Sequence, residues 1–292
     1  MPLFTSIDDA RLRLAGTGYL VDEVLATVVF LGDALGKPIL LEGPAGTGKT
    51  ELAKAVAEAT GAKLVRLQCY EGLDEARALY EWNYRKQLLR IQAAQGSDGA
   101  DSWSDLQDDI FSEEFLLARP LLTAIRQQGP TVLLVDETDK ADVEVEGLLL
   151  EVLSEFQVTV PELGTIVATH RPFVVLTSNA TRELSEALKR RCLYAHVGYP
   201  DAARELAIVM SRVPKVAEEL VVELVRAVRA MRAIDLRKAP SVAETIDWAR
   251  AMDVLGVEEL TDAVVEQTLG VVLKHEQDRQ RVREQLGLGA SQ

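Results

Sequence analysis

Short, continuously apolar runs recur through the first two thirds of the chain, and amphipathic segments separate them. The runs at 38–41, 131–135 and 172–177 contain few polar residues, which is typical of strands buried on both faces of a parallel sheet. The segment at 49–60 instead has apolar residues at every third or fourth position, which predicts a helix packed on that sheet. We therefore expect an α/β fold in which a parallel sheet lies between helices.

The same patterns predict the other elements of this part. We predict a helix from about residue 21, strands at 63–68 and 194–198, and helices at 115–127, 143–156 and 184–191, whereas residues 1–17 show no clear element. Residues 157–168 predict a β-hairpin that turns at Pro161 to Gly164. This hairpin interrupts the alternation of strand and helix, and it either contacts a partner or serves as local scaffolding.

From residue 201 onward the pattern is helical throughout. Helices are predicted at 202–211, 217–231 and 242–254 and within 258–286. Ser241 and Glu244 match the S-x-x-E capping box at the start of the third of these helices. The chain is therefore predicted to form two domains, an α/β domain at 1–200 and a small all-helical lid at 201–292.

A glycine-rich loop follows the first apolar run, and ILLEGPAGTGKT at 39–50 fits G-x-x-x-x-G-K-[ST] without a mismatch. Backbone N–H groups can wrap a triphosphate only where residues tolerate positive φ, as glycines do. Lys49 is expected over the β- and γ-phosphates and the Thr50 hydroxyl on Mg²⁺, at the positive end of a helix. The nucleotide contacts predicted in this loop are Gly43, Pro44, Ala45, Gly46, Thr47, Gly48, Lys49, Thr50 and Glu51.

Two acids, Asp136 and Glu137, end the apolar run at 131–135. An apolar strand that ends in two acids supplies the second half of such a site. Asp136 is expected to hold Mg²⁺ together with Thr50, and Glu137 to polarise the attacking water. Kinases of this fold transfer phosphate to a substrate hydroxyl and need no water-activating glutamate, so Glu137 indicates hydrolysis of ATP.

Two further candidates each have a structural alternative. Asn179 follows the strand at 172–177, where it is suited either to orienting water against the γ-phosphate or to forming a turn. The helix at 184–191 ends in Lys-Arg-Arg. Arg191 either reaches the γ-phosphate of a neighbouring subunit or stabilises the negative end of its own helix.

The remaining candidates are residues that could contact the adenine base and one residue of the predicted helical lid. Tyr19 and Leu20 precede the first predicted helix, and they either shelter an adenine or belong to the core. Arg237 precedes the helix that starts after Ser241, a position where a purely structural role would favour acids. We therefore expect Arg237 to face the bound nucleotide.

Two stretches carry no recognised site. Residues 69–92 contain Tyr70, Tyr80, Trp82 and Tyr84, which form either a partner-facing surface or the packing of an inserted helix. Residues 95–114 are rich in glycine, serine and aspartate. They indicate a solvated mobile loop or a docking segment.

Composition narrows the function classes. The chain has 292 residues, 48% of them hydrophobic, and a formal net charge of −14, which makes nucleic acid an unlikely main partner. The two cysteines and three histidines form no metal-binding spacing. The N-terminus lacks the apolar core of a signal peptide and no run is long enough for a membrane helix, so we predict a cytoplasmic protein.

The motifs GPAGTGKT, LLVDETD, LTSN, LKRRC and LRKAPS occur in the order and at the intervals of AAA+ ATPases. Within that class the chain resembles the MoxR family, and it is most similar to members that mature carbon monoxide dehydrogenase. The resemblance covers residues 16–260. It implies Lys49 and Thr50 as Walker A, Asp136 and Glu137 as Walker B, Asn179 as sensor 1, Arg191 or the adjacent Arg190 as arginine finger, and Arg237 or Lys238 as sensor 2.

The resemblance also implies partners. Members form rings, usually hexamers, that act as chaperones with a von Willebrand factor A domain protein and activate a metalloenzyme client. Two rival functions stay open. One is a nucleic-acid motor of the same superfamily, which the −14 charge disfavours. The other is a nucleotide-gated scaffold with little turnover.

Overall fold

A computed structural model describes residues 2–95 and 109–286 of the chain. Five parallel strands form its central sheet, in the order β2-β5-β8-β1-β9. The strands are β1 Ile39–Glu42, β2 Lys63–Gln68, β5 Thr131–Asp136, β8 Phe173–Ser178 and β9 Leu193–His196. The parallel sheet predicted from the apolar runs is confirmed, with bounds shifted by a residue or two.

Helices cover both faces of the sheet, and they form all the regular structure that the described residues contain after residue 200. Those before residue 200 are α1 Ile7–Gly16, α2 Glu23–Leu35, α3 Lys49–Thr60, α4 Glu75–Ala78, α5 Tyr84–Gln95, α6 Pro120–Ile125, α7 Val143–Glu155 and α8 Glu186–Arg191. Those after it are α9 Ala202–Arg212, α10 Glu218–Arg232, α11 Val242–Leu255, α12 Asp262–Val272 and α13 Glu276–Leu286.

Alternate residues of the three middle strands, β5, β8 and β1, enter opposite hydrophobic cores. Val132 and Leu134 of β5 pack with α1, α2 and α3 on one face of the sheet. Leu133 and Val135 pack with α6, α7 and α8 on the other face. This is the period of two that a strand imposes, and it explains why β5 is apolar at every position from 132 to 135.

The register of the sheet brings the polar strand ends to one edge. Gln68 of β2 is paired with Asp136 of β5, and Glu42 of β1 is paired with Ser178 of β8. Ligands of open α/β sheets bind outside these carboxyl ends. The glycine loop, the two acids and the Asn179 turn therefore open towards the same space.

The prediction that residues 1–17 contain no element is wrong. Ile7–Gly16 forms α1, whose N-cap Ser6 accepts a hydrogen bond from the Asp9 N–H. Ala10 and Leu14 are fully buried against the sheet-facing core. The hydrophobic pattern did not reveal this helix, because only a narrow apolar stripe is buried and most of its other positions are charged or exposed.

The single helix predicted at 115–127 is also wrong in its first part. Leu116–Ala118 forms β4, an antiparallel partner of β3, Tyr80–Trp82, and the helix begins only at Pro120. Pro120 occupies the first turn of α6, as expected for a proline that fixes φ there. A three-residue strand has no periodicity of its own, so only its pairing with a distant segment reveals it.

The aromatic stretch packs part of the core, although its buried tryptophan lies in strand β3 and not in a helix. Its role as a partner-facing surface stays a prediction. Trp82 is buried and contacts Tyr80 and Phe111 edge to face, which is core packing. Tyr84 is 66% exposed and Tyr70 is 41% exposed. Most of the acidic segment at 95–114, namely residues 96–108, lies outside the described residues.

The predicted hairpin at 157–168 is confirmed. Gln157–Val160 (β6) pairs antiparallel with Gly164–Val167 (β7), and Gly164 takes the positive φ of +78° that the turn requires. Val158 and Val160 are buried, and Ile166 of β7 packs against the same core, whereas the other β7 residues are exposed. The hairpin is therefore anchored mainly by β6 and exposes most of β7.

A third hydrophobic core draws its buried members only from positions 209–282, around the fully buried Trp248. The capping box of Ser241 and Glu244 is present at the start of α11. The stretch predicted as helical within 258–286 forms two helices, α12 and α13, because the residues between Val272 and Glu276 are not helical. The predicted boundary after residue 200 stays a prediction, which the separation of this third core supports.

A buried ion pair ties the helical region together. The carboxylate of Glu205 in α9 is fully buried and accepts two hydrogen bonds from the Arg232 guanidinium of α10, at 2.6 and 2.8 Å, and one from Thr245 of α11. Arg232 also donates to the Pro240 carbonyl and stacks on Tyr199. One pair thereby joins three helices and the turn before Ser241.

We expect Glu205→Ala to lower the free energy of unfolding by about 3–5 kcal/mol, because it leaves the buried Arg232 guanidinium without its partner. Urea denaturation followed by circular dichroism measures the change. The exposed Glu258→Ala is the matched control and should stay within about 0.5 kcal/mol of the parent. Equal midpoints for the two variants would contradict the role assigned to this pair.

Within residues 2–95 and 109–286, no helix is long and apolar enough to cross a membrane.

Candidate nucleotide-binding site

The glycine loop adopts backbone geometry that other residues rarely reach. Gly43, Gly46 and Gly48 have φ of +154°, +73° and +92°. A Cβ on Gly43 would lie 2.2 Å from the Val197 carbonyl oxygen, and one on Gly46 would lie 2.1 Å from the Ser241 hydroxyl. Both conformation and space therefore require glycine at these two positions.

Helix α3 starts directly after this loop. Its N-cap is Gly48, which has no side chain to satisfy the first N–H groups of the helix. Those donors and the positive end of a 12-residue helix face the space above the loop, which is the arrangement that binds phosphates elsewhere. The loop and α3 together form an anion cradle.

Lys49 is buried within the cradle. Its Nζ donates to the Gly43 carbonyl at 2.8 Å and to the Pro44 carbonyl at 2.7 Å. Burial lowers the pKa of the Lys49 ammonium, while the negative charges of Asp139, Asp136 and Glu137 oppose that shift. The ammonium is therefore held at the loop by weak neutral acceptors, which a phosphate oxygen can replace with a charged one.

Thr50 and Asp136 meet although 86 residues separate them. The Thr50 hydroxyl donates to Asp136 Oδ1 at 2.9 Å, and the Thr177 hydroxyl donates to the same oxygen at 2.6 Å. Asp136 is almost completely buried. A hydroxyl and a carboxylate in contact are the hard oxygen donors that Mg²⁺ prefers, so these two residues fit a magnesium ion.

The Glu137 carboxylate lies next to this pair and is held by two donors. Its Oε2 accepts from Gln68 Nε2 at 3.0 Å and from Lys140 Nζ at 2.6 Å. Its own N–H donates to the Thr177 hydroxyl at 2.9 Å, with φ of +56°. A left-handed conformation at a non-glycine residue costs free energy and is concentrated at functional sites.

Asn179 is fixed through its backbone. Its N–H donates to Asp139 Oδ1 at 3.2 Å, and Thr181 donates to Asp139 Oδ2 through both its N–H and its hydroxyl. Burial opposes ionisation of Asp139, but these hydrogen bonds outweigh it and lower the pKa of the carboxyl. The turn therefore presents Asn179 to the same cavity as Glu137.

A cavity of about 880 Å³ connects these groups with the helical region. It is lined by residues 45–51, by Asp136, Glu137 and Asn179, and by residues of α9 and α11. Tyr19 and Leu20 line the same cavity, and the Tyr19 hydroxyl donates to the Gly48 carbonyl. The volume is in the range of small-molecule sites, and the apolar lining beyond the loop fits a base.

Arg237 and Lys238 do not line the cavity of the single chain, so their contact with the nucleotide stays a prediction. Asp278 of α13 accepts hydrogen bonds from both of their backbone N–H groups, at 2.8 and 3.2 Å. The cations that do line the cavity from the helical side are Arg204, Arg212 and Arg250. Arg204 is already paired with Asp22 at 2.6 Å.

The two finger candidates lie outside the cavity of their own chain. Arg191 is exposed and donates to the Ser154 hydroxyl at 2.6 Å and to the Ala187 carbonyl. Arg190 is exposed as well. Neither residue lines the cavity, and a contact with the phosphates of another copy of the chain stays a prediction.

Sequence reasoning missed three polar side chains, Arg66, Gln68 and Thr177. Arg66 and Gln68 lie on one face of β2, and the Arg66 guanidinium contacts both Gln68 and Asp136. Thr177 binds Asp136 and the Glu137 N–H. The sequence contained a pattern that could have placed Gln68 at the site. Aligning the ends of the strands LVRLQ, VLLVD and VVLTS puts Gln68, Asp136 and Ser178 at the same edge of the sheet.

The comparisons with known proteins point in one direction. A model of the AAA domain, dynein-related subfamily, matches residues 38–192. The gas vesicle ATPase GvpN of Ancylobacter aquaticus is 27% identical over 78% of this chain and 64% of its own length. The 26S proteasome regulatory subunit 8 homolog of Schizosaccharomyces pombe is 25% identical over 78% of this chain and 46% of its own.

A third relative is the chaperone protein ClpB of Corynebacterium glutamicum, 32% identical over 51% of this chain and 16% of its own length. The chain thus spans less than two thirds of the length of each of these relatives. The matched family region, 38–192, contains the glycine loop, both acids, Asn179 and both finger arginines. The chain therefore belongs to the AAA domain family, dynein-related subfamily, and has the AAA+ P-loop fold with a helical C-terminal region.

Proposed function

We propose that this protein hydrolyses ATP and uses the energy to remodel a client protein. The observation that carries the proposal is the meeting of Lys49, Thr50, Asp136 and Glu137 at one edge of the sheet and one end of the 880 Å³ cavity. Family membership supports hydrolysis in general. Two similar proteins are named a gas vesicle ATPase and a chaperone protein, which supports the chaperone-like role.

Each group of residues at this site has its own role in ATP binding and hydrolysis. The cradle and the start of α3 bind the phosphates, and Lys49 exchanges the loop carbonyls for phosphate oxygens. Thr50 and Asp136 would hold Mg²⁺, which would supply positive charge against the negative charge that develops on the phosphates. Glu137 accepts a proton from the attacking water, Asn179 orients that water, and Tyr19 and Leu20 pack against the adenine.

The finer part of the proposal concerns assembly and client. Because Arg191 is exposed and remote from its own cavity, we propose that copies form a ring, usually hexameric in this class, in which Arg191 completes the neighbouring site. A MoxR-type role with a von Willebrand factor A domain partner and a metalloenzyme client rests on the sequence resemblance alone. The cytoplasmic location likewise stays a prediction.

Release of phosphate from ATP by the purified chain tests the proposed activity. Wild-type protein should release phosphate, and Lys49→Ala should not, because the cradle loses its only buried cation among the described residues. Lys54→Ala is the matched control, since Lys54 lies on the same helix but is paired only with Glu51 at the surface. Equal rates for Lys49→Ala and wild type would refute the site.

A further inference from the structure

The Arg66 guanidinium occupies the place next to Asp136 where a positive charge is required. Arg66 Nη2 lies 2.5 Å from Asp136 Oδ2, while Oδ1 of the same carboxylate accepts hydrogen bonds from Thr50 and Thr177. Asp136 is 3% exposed at its side chain and Arg66 is 50% exposed. A buried carboxylate is costly without a neighbouring positive charge, and within the described residues Arg66 is its ion-pair partner.

Arg66 can leave this position at little cost. It comes from β2, the edge strand of the sheet, which has β5 as its single neighbour. Its stem faces solvent, and the half-exposed guanidinium regains hydration when it swings away. Asp136 by contrast is fixed by two hydroxyl groups and by the strand itself.

From this contact we infer that Arg66 is a built-in cation that balances Asp136 in the absence of metal and that Mg²⁺ displaces it. The inference rests on the proposed function, since it concerns the same metal position. Arg66 also donates to Gln68 Oε1, and Gln68 in turn donates to Glu137. Displacement of Arg66 therefore affects Asp136 directly and Glu137 through Gln68.

The inference predicts opposite effects on the two forms of the nucleotide. Without Arg66, Mg²⁺ meets no competing cation at Asp136, so Mg·ATP should bind more tightly. Metal-free ATP carries about four negative charges and would face an uncompensated Asp136, so it should bind more weakly. A neighbouring charge shifts the ionic equilibria of a carboxylate by roughly one to three decades, and screening of a half-exposed partner favours the lower end.

Nucleotide binding without turnover tests this. The dissociation constant of a fluorescent ATP analogue is measured in excess MgCl₂ and in excess EDTA for wild type, Arg66→Gln, Arg66→Lys and Lys63→Gln. The ratio of the EDTA to the Mg²⁺ constant should rise about tenfold in Arg66→Gln. It should change little in Arg66→Lys, which keeps the charge. Lys63→Gln removes a cation from the same strand without touching Asp136 and should match wild type.

Both constants come from the same protein sample, so partial unfolding of a variant cancels in their ratio. A ratio in Arg66→Gln equal to that of wild type and of Lys63→Gln would overturn the inference while leaving the proposed function standing. An equal rise in Arg66→Lys would overturn the charge-based explanation. Failure of wild type to bind nucleotide in either buffer would overturn the proposed function and this inference together.

Discussion

Replacement of Glu137 by glutamine should lower ATP turnover by about 10²- to 10⁴-fold, the contribution of a positioned general base, and leave ATP bound. The amide keeps the shape of the side chain and can still contact Gln68 and Lys140, but it cannot accept the proton of the attacking water. The substitution does not change the anion cradle with Lys49 or the Thr50–Asp136 pair. Steady-state phosphate release and a nucleotide-retention assay measure the two properties separately.

Glu144→Gln is the matched control for this experiment. Glu144 lies in the first turn of α7, close in sequence and exposed, and it does not line the cavity. Its turnover should equal that of wild type. If Glu137→Gln changed neither turnover nor retention, the chain would be a nucleotide-gated scaffold, and the assignment of Glu137 as general base would be wrong.

Arg191→Ala should reduce the turnover of the assembled protein by about 10³- to 10⁵-fold, the range for an arginine finger. Among the described residues, its side chain donates hydrogen bonds to Ser154 and Ala187, which lie outside the cavity, so its loss should leave folding and ATP affinity close to wild type. Arg190→Ala is the neighbouring control. A large loss in Arg190→Ala and none in Arg191→Ala would move the role to Arg190.

Mixing two inactive variants tests whether the arginine acts between subunits. Lys49→Ala subunits lack a working cradle but keep Arg191, whereas Arg191→Ala subunits have the opposite defect. When the two are mixed and reassembled, some interfaces combine an intact cradle with an intact arginine, as a head-to-tail ring requires. Part of the activity should return. No recovery in mixtures shown to contain both subunits would contradict a finger supplied in trans.

The sequence was sufficient for the sheet and the cradle because both depend on local chemistry. The run at 131–135 is buried on both faces, so it is apolar from 132 to 135, and the glycines at 43, 46 and 48 take their positive φ within one continuous motif. The hairpin was equally readable, since its turn at Gly164 has its own local signature. These features need no knowledge of distant contacts.

The errors all concern long-range contacts. β4 is three residues long and exists because it pairs with β3, and α1 is stabilised by a stripe of two fully buried residues. The hydrogen bond from the Arg237 N–H to Asp278, 41 positions later, was likewise not foreseen. Arg66 was overlooked for the same reason, because its partner Asp136 is 70 positions away.

Isothermal titration of Mg·ATP into the wild-type chain measures directly whether the anion cradle and the Asp136–Glu137 acids build one site for Mg·ATP. Wild type and Lys54→Ala should give saturable heat with one site per chain, and Lys49→Ala should give none. Absence of binding heat in wild type, or equal heat in wild type and Lys49→Ala, would contradict a shared site.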